Sequence, residues 1–234
     1  MPALHSTFLA LLIGSFLCSP LFGQEKEEFI EVPRSNEGEW GGIPGMNGGG
    51  ITLIDQNSFL VLMGAASASY LIAEFLSDST QQNFYQSRLG VFGVSNKTTI
   101  VLESFGIEKR VAPWFGLGLE LTWQQWLTRI PETRVGMGMG LNTYYRWHLL
   151  SKYKLSPFLE YGAGVFYGFK KLPYNGSHFT FHLTTTLGLE YRLENQNRFR
   201  LSYGHLHQSN NELVEPNPGL DGGGLQMTFL WHWK

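Results

Sequence analysis

From Arg134 to Leu149 the chain reads "RVGMGMGLNTYYRWHL". Its odd positions are Val135, Met137, Met139, Leu141, Thr143, Tyr145 and Trp147. Its even positions are Arg134, Gly136, Gly138, Gly140, Asn142, Tyr144, Arg146 and His148. One set is greasy and the other small or polar, the pattern of a β-strand whose alternate side chains point to opposite faces. "HFTFHLTTTLGLEYRL" repeats it from His178, and "PFLEYGAGVFYGF" and "WFGLGLELTW" follow it more loosely. Turn-forming stretches separate the runs: "SNKT", "RVAP", "RIPET", "SKYKLSP", "LPYNGS" and "ENQN". Counted back from the C-terminus, the pattern predicts eight strands near 84–94, 98–109, 113–126, 134–149, 154–170, 178–193, 197–209 and 221–233, the first two alternating poorly.

These runs are long, at about 10 to 16 residues against about 5 to 6 in soluble sheets, and a tilted membrane strand needs about 9 to 11. Trp123, Trp126, Tyr145, Trp147, Trp231 and Trp233 gather near strand ends, where amphipathic rings suit a membrane–water interface. The expected fold class is therefore all-β: an eight-stranded antiparallel outer-membrane β-barrel, closed so that no backbone edge meets lipid. Eight strands leave a lumen about wide enough for side chains. The inward parity of many glycines and of Glu120, Glu160, Glu190, Arg134, Arg146 and Arg192 suits a packed, ion-paired interior. The soluble alternative, a lipocalin-like barrel, would turn its apolar face inward around a ligand. Strand length and the aromatic belts argue against it.

The region before residue 84 reads differently. "STFLALLIGSFLCSPLFG" is an apolar run ending in small residues before "QEKEE", the form of a signal peptide over 1–23 and an address to the cell outer membrane. Cleavage there removes Cys18, the single cysteine, so no disulfide would hold the mature fold. Residues 24–83 form a polar, Gly-rich lead-in that holds one apolar stretch, Ser58 to Leu76. That stretch fits a membrane-length helix, a helix packed at a barrel end, or an extra hairpin. The barrel proper is expected over 84–234. Composition agrees: 15% charged and 15% aromatic residues, where soluble domains average about 25% charged. A net charge of -2 excludes a general nucleic-acid footprint.

The candidate chemistry lies at the last hairpin. In "NRFRLSYGHLHQS" the apolar parity, Phe199, Leu201 and Tyr203, continues into His205, His207 and Ser209. In the last strand Asp221 shares parity with Leu225, Met227, Phe229, Trp231 and Trp233. His207, Ser209 and Asp221 thus emerge on the outer wall at one rim. Polar groups on a lipid-facing wall are costly, so three in one patch point to use. Ser209 fits a hydroxyl nucleophile, His207 its general base, and Asp221 the orienting carboxylate, with Asn210 and loop N–H groups able to serve an oxyanion. The bland alternative is an ordinary polar loop. A third is a metal site on His205, His207 and Asp221, for which no further ligand is apparent. His205 otherwise reads as an interfacial histidine or a neighbour supporting the site.

"HQSNNELVEPNPGLDGGGLQMTFLW" resembles the ending of the outer-membrane lipid A 3-O-deacylases, grouped as acyloxyacyl-hydrolase-like proteins: His-x-Ser-Asn, a short Asn-Pro-Gly loop, then an acid opening the last strand. "SPFLEYGAGVFYG" is similar to their fifth strand, Pro-Phe-x-Glu-x-Gly-x-Gly. The resemblance implies an eight-stranded barrel with an exterior site that hydrolyses the ester-linked acyl chain at position 3 of lipid A. It implies Ser209 as nucleophile, His207 as base and then acid, Asp221 as orienting carboxylate, Asn210 in the oxyanion hole, and no metal or other cofactor. The expected partners are lipid A or lipopolysaccharide as substrate and outer-membrane lipid, with no nucleic acid; a homodimer is left open. Two features depart from the family. The best-known member has Glu where this chain has Asp221, and Asn211 and Glu212 stand where small residues are common. The competing reading is a non-catalytic small barrel with a structural or adhesive role.

Overall fold

The computed structural model describes residues 68–70, 72, 82–95, 98–129, 133–172, 177–210 and 219–233. Eight antiparallel strands form a closed barrel in simple up-and-down order, each paired with its chain neighbour, and β1 with β8. They are β1 (Gln82–Ser95), β2 (Thr98–Ala112), β3 (Phe115–Arg129), β4 (Thr133–His148), β5 (Leu155–Leu172), β6 (Ser177–Arg192), β7 (Arg198–Ser209) and β8 (Leu220–Trp233). Closure leaves no strand edge without a partner, the condition for crossing lipid.

The wall is greasy outside and mixed inside. Leu89, Val91, Phe105, Leu121, Leu187 and Leu225 are among the large apolar side chains exposed on the outer face. Among the described residues no helix is long and apolar enough to span a membrane, so the spanning elements are strands. β1 and β2 alternate poorly in sequence because the lumen takes apolar residues too. Phe84, Phe92, Ile100 and Leu102 point inward and are buried, while Leu89 and Val91 face out. Trp126, expected in an interfacial belt, is instead 3% exposed. It packs with Phe92, Ile100, Leu102, Phe166, Leu206 and Leu220 in an apolar plug inside the β7–β8 hairpin end.

Below this plug the lumen holds a continuous chain of ion pairs. Arg88 bridges Glu120 at 2.9 Å and Glu160 at 2.7 Å. Arg146 joins Glu160 to Glu108, and Arg200 joins Glu108 at 2.7 Å to Glu190 at 2.6 Å. Glu190 also receives Arg110 at 2.9 Å and Arg198 at 2.5 Å. Gly118 is required here: a Cβ on it would collide with the Tyr144 ring, on which the Arg146 guanidinium rests at 4.5 Å. The expected inward Glu120, Glu160, Glu190 and Arg146 all belong to this network. Arg192 does not. Its guanidinium reaches the carbonyls of Lys152 and Tyr153 at 3.3 Å in the adjacent turn, because it lies at the strand's end. The Arg134 side chain lies outside the described residues.

A buried charge left alone costs more than a buried pair returns. Glu108→Leu, which fills similar volume but strips Arg146 and Arg200 of a shared carboxylate, is expected to destabilise the barrel by about 3–5 kcal/mol. A lowered urea midpoint for the barrel folded in vesicles is the measurement.

Residues 1–67, and with them the signal peptide and most of the lead-in, lie outside the described residues. Of the apolar Ser58–Leu76 stretch, residues 68–70 and 72 are described, and they are helical. Ser69 accepts a 3.0 Å hydrogen bond from the Trp147 indole N–H.

Candidate active site

The site is built by two neighbouring strands whose inward residues fix their outward ones. Leu206 and Leu220 are buried in the apolar plug at 0% and 8% exposure, each worth about 1.5–3 kcal/mol of apolar burial. They flank the outward positions 205, 207 and 221, so the backbone there is anchored from within. Gln208, between His207 and Ser209, also points inward. Its amide donates to Gln124 at 3.0 Å; Gln124 meets His182 Nδ1 at 3.1 Å and accepts from the Trp126 indole at 3.2 Å. Gly219, at φ +54°, turns the chain into β8 in a conformation that only glycine adopts without strain.

Register then does the rest. His207 lies directly opposite Asp221 in the β7–β8 ladder, and Ser209 follows two residues on, on the same outer face. His207 Nδ1 is 2.9 Å from Asp221 Oδ1. His207 Nε2 is 3.2 Å from Ser209 Oγ. The imidazole and carboxylate side chains keep 18% and 19% of their surface, so they are half-sheltered by the wall yet open from outside. With Nδ1–H donating to the carboxylate, Nε2 presents a lone pair to the serine hydroxyl. That is the tautomer a general base needs.

Asn210 follows Ser209 at once and is 2% exposed, buried at the rim. Glu212 and the rest of 211–218 lie outside the described residues. A second imidazole, His205, places its Nε2 3.4 Å from the same Asp221 Oδ1. Parity had put it on this face but could not show the shared oxygen. The Gln208–Gln124–His182 set was missed altogether, although its inward parity was available in the sequence.

Among the described residues the one His/carboxylate cluster with metal-ligand spacing is Glu108, His148 and Glu190 in the lumen. Arg110, Arg146, Arg198 and Arg200 already neutralise those carboxylates, so the positive charge a cation would supply is present. His205, His207 and Asp221 are not such a cluster: Asp221 Oδ1 is hydrogen-bonded to His207 Nδ1 at 2.9 Å and lies 3.4 Å from His205 Nε2.

Three comparisons bear on identity. Among solved structures the chain is similar to the outer membrane enzyme PagL, with 16% identity over 61% of this chain and 97% of that one, TM-score 0.47. It is also similar to Neisserial surface protein A (NspA), with 11% identity over 65% and 96%, TM-score 0.44. The outer membrane protein OprG from Pseudomonas aeruginosa shares 10% identity over 65% and 96%, TM-score 0.39. No curated protein sequence matches the chain. The family model "Lipid A 3-O-deacylase (PagL)" matches residues 104–229, a span that runs from β2 through most of β8 and takes in His207, Ser209, Asn210 and Asp221. On that match the chain belongs to the lipid A 3-O-deacylase (PagL) family of outer-membrane β-barrel hydrolases.

Proposed function

We propose that this chain is a serine esterase that removes the 3-O-linked acyl chain from lipid A, using Ser209, His207 and Asp221 on the outer wall of the barrel. The observation that carries the reading is the unbroken hydrogen-bond relay from Ser209 Oγ through both nitrogens of His207 to Asp221, set on a lipid-facing surface. Such a surface rejects polar groups that have no use.

In this mechanism Ser209 Oγ attacks the ester carbonyl carbon while His207 Nε2 takes the hydroxyl proton. Asp221 stabilises the imidazolium through Nδ1–H. Asn210 helps to stabilise the oxyanion. The bond between the acyl carbon and the sugar oxygen then breaks, and the sugar oxygen leaves with the proton from Nε2. Water, deprotonated by His207, attacks the acyl-serine, and the fatty acid departs with Ser209 restored. No cofactor takes part.

Topology supports the same reading. β1 begins and β8 ends at one end of the barrel, and the β7–β8 connection lies at the other. We take residues 1–23 as a signal peptide and 24–83 as a periplasmic lead-in. A chain exported this way keeps the start of β1 and the end of β8 on the periplasmic side, and the relay then faces the outer leaflet, where lipid A resides.

The test is mass spectrometry of lipid A from Gram-negative cells that carry the protein or its Ser209→Ala variant. The wild-type protein is expected to remove one ester-linked acyl chain and the variant none. Unchanged lipid A beside a correctly folded wild-type barrel would favour a structural role and overturn the assignment.

A further inference from the structure

Asp221 has a short side chain at the second position of β8. His207 binds its carboxylate by one hydrogen bond, 2.9 Å from Nδ1 to Oδ1. His205 sits two residues farther into the wall on the same strand as His207, opposite Gly223 on β8, over which the Tyr203 hydroxyl lies. Its Nε2 lies 3.4 Å from the same Oδ1. The two imidazoles bracket one oxygen, and the lower one draws the carboxylate away from the rim.

The tautomer is legible from what is left unpaired. Among the described residues, buried His205 Nδ1 has no hydrogen-bond partner, and the buried Thr185 hydroxyl, its register neighbour on β6, is also without one. A bare acceptor nitrogen is a smaller loss than a bare N–H. His205 is therefore neutral, with its proton on Nε2 facing Asp221.

We propose that His205 is a positioning residue: its Nε2, 3.4 Å from the oxygen that His207 binds, steadies the short Asp221 carboxylate against the wall, so that His207 keeps the tautomer and orientation that Ser209 requires. The inference rests on the proposed Ser209–His207–Asp221 relay. His205 touches neither substrate nor the reacting atoms. Its removal leaves substrate binding intact and lowers the chemical step.

The experiment uses the full-length barrel in vesicles of lipid A and phospholipid, with kcat and KM measured for wild type, Ser209→Ala, His205→Leu, His205→Gln and His205→Asn. Heat-modifiable gel mobility reports folding. Leu keeps the wall apolar and deletes the donor. Gln carries an amide N–H about as far from the backbone as Nε2, whereas Asn falls short of it. His205→Leu is expected to lower kcat roughly 10- to 100-fold, the scale seen when a group that orients a metal-ligating side chain is lost, with KM unchanged. His205→Gln is expected to restore most of that rate, and Asn little of it. A folded His205→Leu protein with wild-type kcat, beside an inactive Ser209→Ala, overturns the positioning role and leaves the relay standing. An active Ser209→Ala overturns the relay itself. If the Leu protein does not fold, the amide pair decides: a faster Gln variant supports the proposal, and equal rates for Gln and Asn overturn it.

Discussion

In the Ser209→Ala protein, release of fatty acid from lipid A vesicles is expected to fall roughly 10⁶-fold, to the residue that binding and oxyanion contacts alone provide. The size follows from the chemistry. Without Oγ no acyl-enzyme forms, and His207 would have to activate water held at a site shaped for a hydroxyl. The change is conservative for the fold. Ser209 is the last residue of β7 and its side chain lies outside the lumen, while its inward neighbour Gln208 keeps its bond to Gln124. Heat-modifiable mobility should therefore match wild type. A full rate in the folded variant would remove Ser209 from the mechanism.

Asp221→Asn should come second, with kcat reduced roughly 10⁴-fold. An amide at this place can offer its N–H₂ to His207 Nδ1, which then becomes the acceptor and moves the ring proton to Nε2. That proton faces Ser209 Oγ at 3.2 Å and blocks the base. Substrate binding does not use Asp221, so KM should hold while kcat collapses. A parallel rise in KM would mean that the substitution disturbed the wall and not the tautomer.

Much of this arrangement can be read from the chain before any coordinates. β4 and β6 to β8 declare themselves because their outward residues are apolar and most of their inward ones polar or small. Parity alone therefore puts His207, Ser209 and Asp221 on one wall. β1 and β2 hide, since Phe92 and Ile100 fill the lumen with the same chemistry that Leu89 and Val91 offer to lipid. Trp126 misleads for the same reason: a tryptophan near a strand end suits the interface, but its parity is inward and an apolar plug awaits it. What the sequence withholds is register. That His207 faces Asp221, and that His205 reaches the same oxygen, depends on how strands of the hairpin are offset. The offset is set jointly by the connection and by inward anchors such as Leu206 and Leu220. The interior ion chain is withheld too, because it joins residues from seven strands that are far apart in sequence.

The packed interior has a kinetic corollary. A lumen closed by guanidinium–carboxylate pairs and aromatic rings offers no passage to a fatty acid, so reactant and product alike must travel laterally in the bilayer. Turnover by such an enzyme is a two-dimensional encounter. Its velocity should track the mole fraction of lipid A in the membrane, and dilution of the suspension at fixed vesicle composition should leave each barrel working at the same pace.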